Sequence, residues 1–397
     1  MRFSIQHVLA VPGLGAYYNE DLAGLQQTPM APSLRYTAPA RTAGLERMRQ
    51  VAEVLSVGLQ VQTHGIFWGD AVGVSYAGKS GREGVFRAGA ASVGILQTRV
   101  GELGRDFVDD CERLSEWGIS KAFEYGVSQA LLRAHAAVAG KSLTQFLCER
   151  YSRPLPTQSV PLHGSCGYDW EDNVDKMVFY RLASLPAGEG DDLPHRLGKN
   201  GEKLLSYVGW LKERVALQEG YVPVFHFDVH GGLDLVFDGD RDRILEFLCR
   251  LAEACSPFRV RVESPLQATS REEMLQSYRT LHDALRKGPV ELVADEWANT
   301  LDDIKVFAEA GVVDMIHIKM PDLGSVHNTI RAIETCQKNA VASLLGGSCV
   351  ETYMSSSIAA PIALALRPTL LMAKSGMGVN EAVSSLNNEM LRELALL

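Results

Sequence analysis

The run Val312–Met320, VVDMIHIKM, is apolar except for Asp314 and for an imidazole and an ammonium set two residues apart near its end. A short run of this composition suits a buried β-strand, and in a strand side chains two apart project from one face. His317 and Lys319 therefore point the same way, among Met and Ile neighbours. Placing two basic groups side by side in an apolar strand is unfavourable unless each meets a partner or takes part in chemistry.

Similar runs flank it at regular intervals. They are SVPLHG (159–164), VFYRLASLPA (178–187), VPVFHFDV (222–229), FRVRVES (258–264) and VELVADE (290–296) before it, and AVASLLGG (340–347) and PTLLMAK (368–374) after it. Amphipathic stretches separate them. In GEKLLSYVGWLKERVALQ (201–218), for example, Leu204, Val208, Leu211 and Val215 trace the apolar stripe of a helix. Eight strand candidates alternating with helices predict an α/β fold, a TIM-type barrel over residues 156–397. Residues 1–155 read differently. Short strand-like runs and glycine-rich turns come first, and then a helical pair in which Ile119, Phe123, Val127 and Leu131 recur every four residues. This is the pattern of a separate α+β domain, joined to the barrel at Pro154-Leu155-Pro156.

The bulk composition excludes several classes. A net charge of −9 with no basic block argues against nucleic-acid binding. Seven scattered cysteines without a C-x-x-C pair indicate reduced thiols and a cytoplasmic setting. The N-terminal MRFSIQHVLAVPGLGAYY lacks a small-residue cleavage site and reads as a first strand rather than a signal peptide. The apolar stretch SSSIAAPIALALRPTLLMA is interrupted by Pro361, Arg367 and Pro368, so no membrane span is expected.

In a barrel of this type the active site lies at the C-terminal strand ends. Three neighbouring candidate strands end in acids: Asp228, Glu263 and Asp295. Converging carboxylates repel one another unless a cation joins them, and hard oxygen donors favour Mg²⁺ or Mn²⁺. The plain alternative is ordinary carboxylates on the barrel rim. Lys319 on the sixth strand and His195 after the second would stand on opposite sides of the ring. A carboxylate substrate on the metal has an acidified α-proton, because the charge of the enediolate is stabilised by the cation. Lys319, close to a cation, is then expected to have a lowered pKa and to act as a base, with His195 on the other face. A structural ion pair for Lys319 and a loop position for His195 are the competing readings.

The segments FHFDVHG, VES, VADEWANT, IKMPDLGS, GGSCVET and MAKSGMGVNEA occur in that order, with GEKLLSYVGWLKERV and YAGKSGREGVF. Together they resemble the methylaspartate ammonia-lyase family of the enolase superfamily. The resemblance implies a capping domain on an enolase-like barrel, Mg²⁺ on Asp228, Glu263 and Asp295, a possible accessory K⁺, Lys319 and His195 as bases for the two configurations of the α-proton, and a homodimer. It also implies elimination of ammonia from 3-methylaspartate to give mesaconate. Where that family holds its substrate with glutamines, this chain has Ser75, Ser165 and His317. A serine does not reach where glutamine does without an intervening water. Ser348-Cys349 stands for a Thr-Cys pair, Met372 for an alkyl-contacting leucine, and His163 and Leu344 for aromatic pocket residues. The backbone after Gly346-Gly347 can still cradle a carboxylate. The expected substrate is therefore a small amino acid or carboxylate related to 3-methylaspartate, with the proton-abstracting set kept and the recognition residues changed.

Other patterns compete. GVSYAGKS (73–80) fits a phosphate-binding loop with Lys79 and Ser80 on the phosphates, but Gly81 and Gly84 disfavour the helix that should follow. A mobile loop over the barrel mouth accounts better for it. His226, Asp228 and His230 share an H-x-D-x-H spacing that a zinc hydrolase could use. Dehydration and epimerisation share the enediolate step with ammonia loss, and a non-catalytic relative would bind an acid without turning it over.

Overall fold

The computed structural model describes residues 2–27, 32–76, 78–167, 169–188, 196–285, 288, 290–374 and 376–397. An antiparallel sheet in the order β1-β2-β3 opens the chain, built from β1 (Ile5–Glu20), β2 (Arg49–Val61) and β3 (Gly65–Val72). The helix Lys121–Val138 lies across it, started by Ser120, whose side chain accepts a hydrogen bond from the backbone N–H of Phe123. Phe123, Val127 and Leu131 are fully buried within this helix, while Ile119 falls just before its cap. Helix and sheet meet backbone to backbone. A Cβ at Gly69 would sit 2.1 Å from the Gly126 carbonyl oxygen, and one at Gly126 would sit 2.5 Å from the Ala71 nitrogen. Only glycine permits an approach this close.

From Leu162 the parallel strands β4 (Leu162–Ser165), β5 (Ser184–Ala187), β6 (Val224–Asp228), β7 (Val260–Glu263), β8 (Val290–Ala294), β9 (Met315–Lys319), β10 (Ala342–Gly346) and β11 (Leu370–Met372) close into an eight-stranded barrel, with β11 returning to pair with β4. Each of the eight apolar runs contributes one strand. The run 178–187 does so only through its last four residues. Val178 and Phe179 instead complete the helix Trp170–Phe179, which buries Val174, Met177 and Val178.

β9 follows its sequence pattern. Ile316 and Ile318 are fully buried in the large apolar cluster shared with the surrounding helices, and such burial stabilises by about 1.5–3 kcal/mol for each side chain. Met315 faces inward and packs with Val293, Leu344, Leu370 and Met372 in the barrel interior. His317 and Lys319 share that inward face nearer the C-terminal end, in register with Leu344 and Gly346 of β10.

The helix Lys121–Val138 also meets the barrel directly. The Glu124 carboxylate accepts from the Ser325 N–H at 2.9 Å, and the Ser128 hydroxyl accepts from the Val326 N–H at 2.9 Å. An acid at the N-terminus of the helix Val326–Lys338 is favourably placed against its dipole. Among the described residues, no helix is long and apolar enough to cross a membrane.

Candidate active site

The C-terminal ends of β6 to β9 carry the acids and the lysine to one end of the barrel. Asp228 closes β6, Glu263 closes β7 in register with it, Asp295 follows β8, and Lys319 closes β9. Just beyond the three acids the chain turns through left-handed residues that are not glycine: His230 (φ 42°), Ser264 (φ 49°) and Trp297 (φ 64°). Such residues gather where a site over-determines the backbone.

Glu263 is buried between two imidazoles. His226 Nε2 lies 2.7 Å from its Oε2, and His317 Nδ1 lies 2.7 Å from its Oε1. Burial alone would raise the Glu263 pKa, but His317 and the hydrogen bonds from both rings outweigh it and hold the carboxyl well below the usual range. Beneath His226 the His163 ring sits 4.6 Å away, fully buried and hydrogen-bonded through Nδ1 to Ser184 Oγ at 3.1 Å. Burial, helped by His226, pushes His163 far below the ordinary histidine value, so it is a neutral core residue. Gly346 of β10 leaves the space for His317, since a Cβ there would stand 1.8 Å from Nε2.

Asp295 has both oxygens engaged. Oδ2 is 2.5 Å from Lys319 Nζ, and Oδ1 is 3.1 Å from Arg82 Nη2. Arg82 comes from the loop between β3 and the helix Ala90–Arg99 and also pairs with Asp322 at 2.9 Å. The Tyr76 ring lies under the Lys319 ammonium, 5.9 Å from its centroid. Burial lowers the Lys319 pKa, yet the adjacent Asp295 carboxylate more than compensates while the two are paired, and the net shift of the pair as it stands is upward. Asp228 turns to His230, with Oδ2 3.1 Å from Nε2 and Oδ1 accepting from the His230 N–H at 3.1 Å. Burial, together with repulsion from Glu263, Glu296 and Asp295, pushes its carboxyl well above the usual range in spite of His230. Donor atoms of Glu263, Asp295 and His317 lie within 4.8 Å of one another, close enough to hold one metal ion.

Asp228, Glu263, His317, Lys319 and Arg82 border a cleft of about 510 Å³, partly open to solvent, that is also lined by Ser75, Ser165, Ser348, Cys349 and Met372. The Ser75 hydroxyl donates to the Tyr18 carbonyl at 2.9 Å, while its N–H donates to Ser348 Oγ at 3.2 Å. Behind Gly347 lies a buried Lys374–Glu351 ion pair of 3.0 Å. Lys374 donates to the Gly346 carbonyl at 2.7 Å, and Glu351 accepts from the Ser348 N–H at 3.0 Å and from the Tyr125 hydroxyl at 2.9 Å.

The three acids, Lys319, His317, Ser75, Ser165, Ser348, Cys349 and Met372 are thus at one end of the barrel, whereas His195 lies outside the described residues. Sequence reasoning missed Arg82, Glu296, Asp322, Glu351 and Lys374; the one available signal was the charge within the glycine-rich loop and the strand-end turns. No helix starts at Lys79, and the next begins at Ala90, so the phosphate-loop pattern lacks its structural context. The H-x-D-x-H set does not assemble either, because His226 is committed to Glu263.

Comparison with known proteins gives one consistent answer. The family models described as methylaspartate ammonia-lyase N-terminus and C-terminus match residues 3–152 and 154–397. Methylaspartate ammonia-lyase 1 of Carboxydothermus hydrogenoformans is 35% identical, with 99% of this chain and 97% of the relative aligned. The crystal structure of Citrobacter amalonaticus methylaspartate ammonia lyase containing (2S,3S)-3-methylaspartic acid superposes with a TM-score of 0.92 at 32% identity, covering 99% of both chains. The Mg-complex of β-methylaspartase from Clostridium tetanomorphum gives 0.88 at 33% identity, covering 100% of this chain and 99% of that one.

Proposed function

Because the chain belongs to the methylaspartate ammonia-lyase family, we propose that it is a Mg²⁺-dependent carbon–nitrogen lyase. It removes the proton α to a carboxylate of 3-methylaspartate or a related amino acid and releases ammonia from the β-carbon. Residues 1–155 would form the cap and 156–397 the catalytic barrel, and the family reading carries a cytoplasmic homodimer.

Asp228, Glu263 and Asp295 would hold the cation: Glu263 and Asp295 are buried, and repulsion from these neighbouring acids adds to the desolvation that raises the Asp228 carboxyl, a cost that a divalent cation would relieve. When bound, the cation supplies countercharge for the acids and for the charge that builds on the substrate carboxylate. The rest falls to side chains. Lys319 Nζ accepts the α-proton, the C–H electron pair becomes the new C=C bond, and the C–N pair leaves with ammonia. Asp295 keeps Lys319 protonated while the two are paired, so engagement of Asp295 elsewhere leaves burial to lower the lysine pKa toward that of a base. His195 would serve the opposite face, an assignment that rests on its sequence position. Ser165, Ser348, Cys349 and the Gly347 backbone would receive the substrate's polar groups, Met372 its alkyl part, and His317 Nε2 a further polar group. Ser75 contributes by fixing Ser348, because its own hydroxyl is bonded to Tyr18.

The observation that carries this reading is the 2.5 Å approach of Lys319 Nζ to Asp295 Oδ2 in the cleft that Glu263 also borders. The test is exchange of the α-proton in D₂O with Mg²⁺, followed by NMR across 3-methylaspartate and related amino acids. Lys319→Ala should slow exchange of one configuration by about 10²–10⁴-fold. Exchange that survives in the Lys319→Ala, His195→Ala double variant would overturn the base assignment.

A further inference from the structure

We infer that His317 is itself a ligand of the divalent cation through Nδ1, making a mixed oxygen–nitrogen site that still takes Mg²⁺ but whose affinity for Mn²⁺ relative to Mg²⁺ is raised. The inference rests on the reading above that a cation binds at Glu263 and Asp295. Among the described residues, the side chains whose donor atoms gather within 4.8 Å are Glu263, Asp295 and His317, while Asp228 is turned to His230.

The two oxygens of Glu263 are not equivalent. His226 Nε2 holds Oε2 at 2.7 Å from the barrel interior, which leaves Oε1 as the coordinating atom. His317 Nδ1 stands 2.7 Å from that same Oε1. Adjacent donors on an octahedral cation with bonds of about 2.1 Å are about 3 Å apart, so the two atoms already have nearly the spacing of neighbouring ligands. The imidazole is held in this pose by more than its contact with Glu263. It lies against Gly346, where any Cβ would come within 1.8 Å of Nε2, and it is only 4% exposed.

The other nitrogen supports the same assignment. Nε2 of His317 is buried without a hydrogen-bond partner in a residue that lines the cleft. A buried polar atom left this way is unfavourable. With Nδ1 on the cation, Nε2 must carry the ring proton, and it becomes a donor for a carboxylate or carbonyl of the substrate. One imidazole then joins metal and substrate. Nitrogen donors suit Mn²⁺ and the later first-row ions, whereas Mg²⁺ prefers oxygen alone.

The experiment uses the metal-free full chain titrated with Mn²⁺ alone. Pulsed electron paramagnetic resonance should show nitrogen coupling from one imidazole, and it should change on ¹⁵N-histidine labelling of the wild-type protein, which involves no substitution. The coupling should vanish in His317→Gln, and the Mn²⁺ over Mg²⁺ preference, from competition binding, should fall about tenfold or more. Mn²⁺ that binds with no imidazole coupling would overturn the inference and leave the proposed lyase intact. Coupling that persists in His317→Gln would assign it to another histidine and also overturn it. If neither ion binds, the metal-dependent function fails with it.

Discussion

Replacing Lys374 by methionine tests how the cleft wall is held. Lys374 and Glu351 are 1% and 0% exposed, and their charges approach to 3.0 Å. At that distance the attraction is roughly 5–6 kcal/mol at an effective dielectric of about 20, before desolvation is counted. Methionine fills much the same volume but strands the Glu351 carboxylate, which among the described residues keeps the Ser348 N–H and the Tyr125 hydroxyl as donors. Removing one partner of a buried pair typically destabilises by about 3–5 kcal/mol. With a urea dependence of about 3 kcal/mol per molar, the unfolding midpoint should drop by about 1 M or more. Adding Glu351→Gln removes the stranded charge and should recover more than half of the loss. A single-variant shift below about 0.3 M, or a double variant no better than the single, would refute the view that this pair anchors β10 and the Gly347–Ser348 turn.

Two further outcomes follow from the same geometry. Gly346→Ala puts a methyl group where His317 Nε2 now lies, so overpacking should destabilise by about 1–3 kcal/mol and turnover should fall at least about tenfold. Wild-type melting temperature and rate would show that the ring has room to move. His327, which hydrogen-bonds the Tyr151 hydroxyl at 2.8 Å, is pushed down to about 4 by burial and by Arg331 and Arg150. It is neutral in the folded chain and protonates more readily when unfolded. Its stabilisation, up to about 3 kcal/mol, is therefore complete above pH 6.5 and is lost as pH falls toward 4. Urea midpoints for His327→Gln should show a flatter decline over that window, and an unchanged decline would assign the acid sensitivity to other groups.

The barrel was legible because its strands are separated by helices with a clear stripe and end in polar residues. The apolar run 178–187 extends beyond its strand for a physical reason. Val178 is buried by the helix Trp170–Phe179 and Ser184–Ala187 by the barrel, and a short apolar run has no period that separates the two. The acids and Lys319 could be found since each sits at a strand end, a position that topology alone makes convergent. Arg82 could not. It meets Asp322 across 240 residues of sequence, through a loop whose path no local pattern specifies. Nor could the pairing of Asp228 with His230 rather than with its neighbouring acids, which depends on one left-handed turn.

Those left-handed turns have an evolutionary consequence. A side chain other than glycine at such a position destabilises the chain by roughly 1–2 kcal/mol, and random drift would favour glycine or asparagine at each. Yet each residue here holds something in place: His230 reaches Asp228, Ser264 donates to Glu296, and Trp297 donates to the Ala268 carbonyl at 3.1 Å while its ring supports Gly81 in the loop that carries Arg82. Three successive exits from the barrel thus retain strained residues whose side chains steady the acids and the loop above them. Substitutions that relax the backbone at these points would be selected for robustness and against in catalysis, so the mouth of this barrel is where the two pressures on the sequence meet.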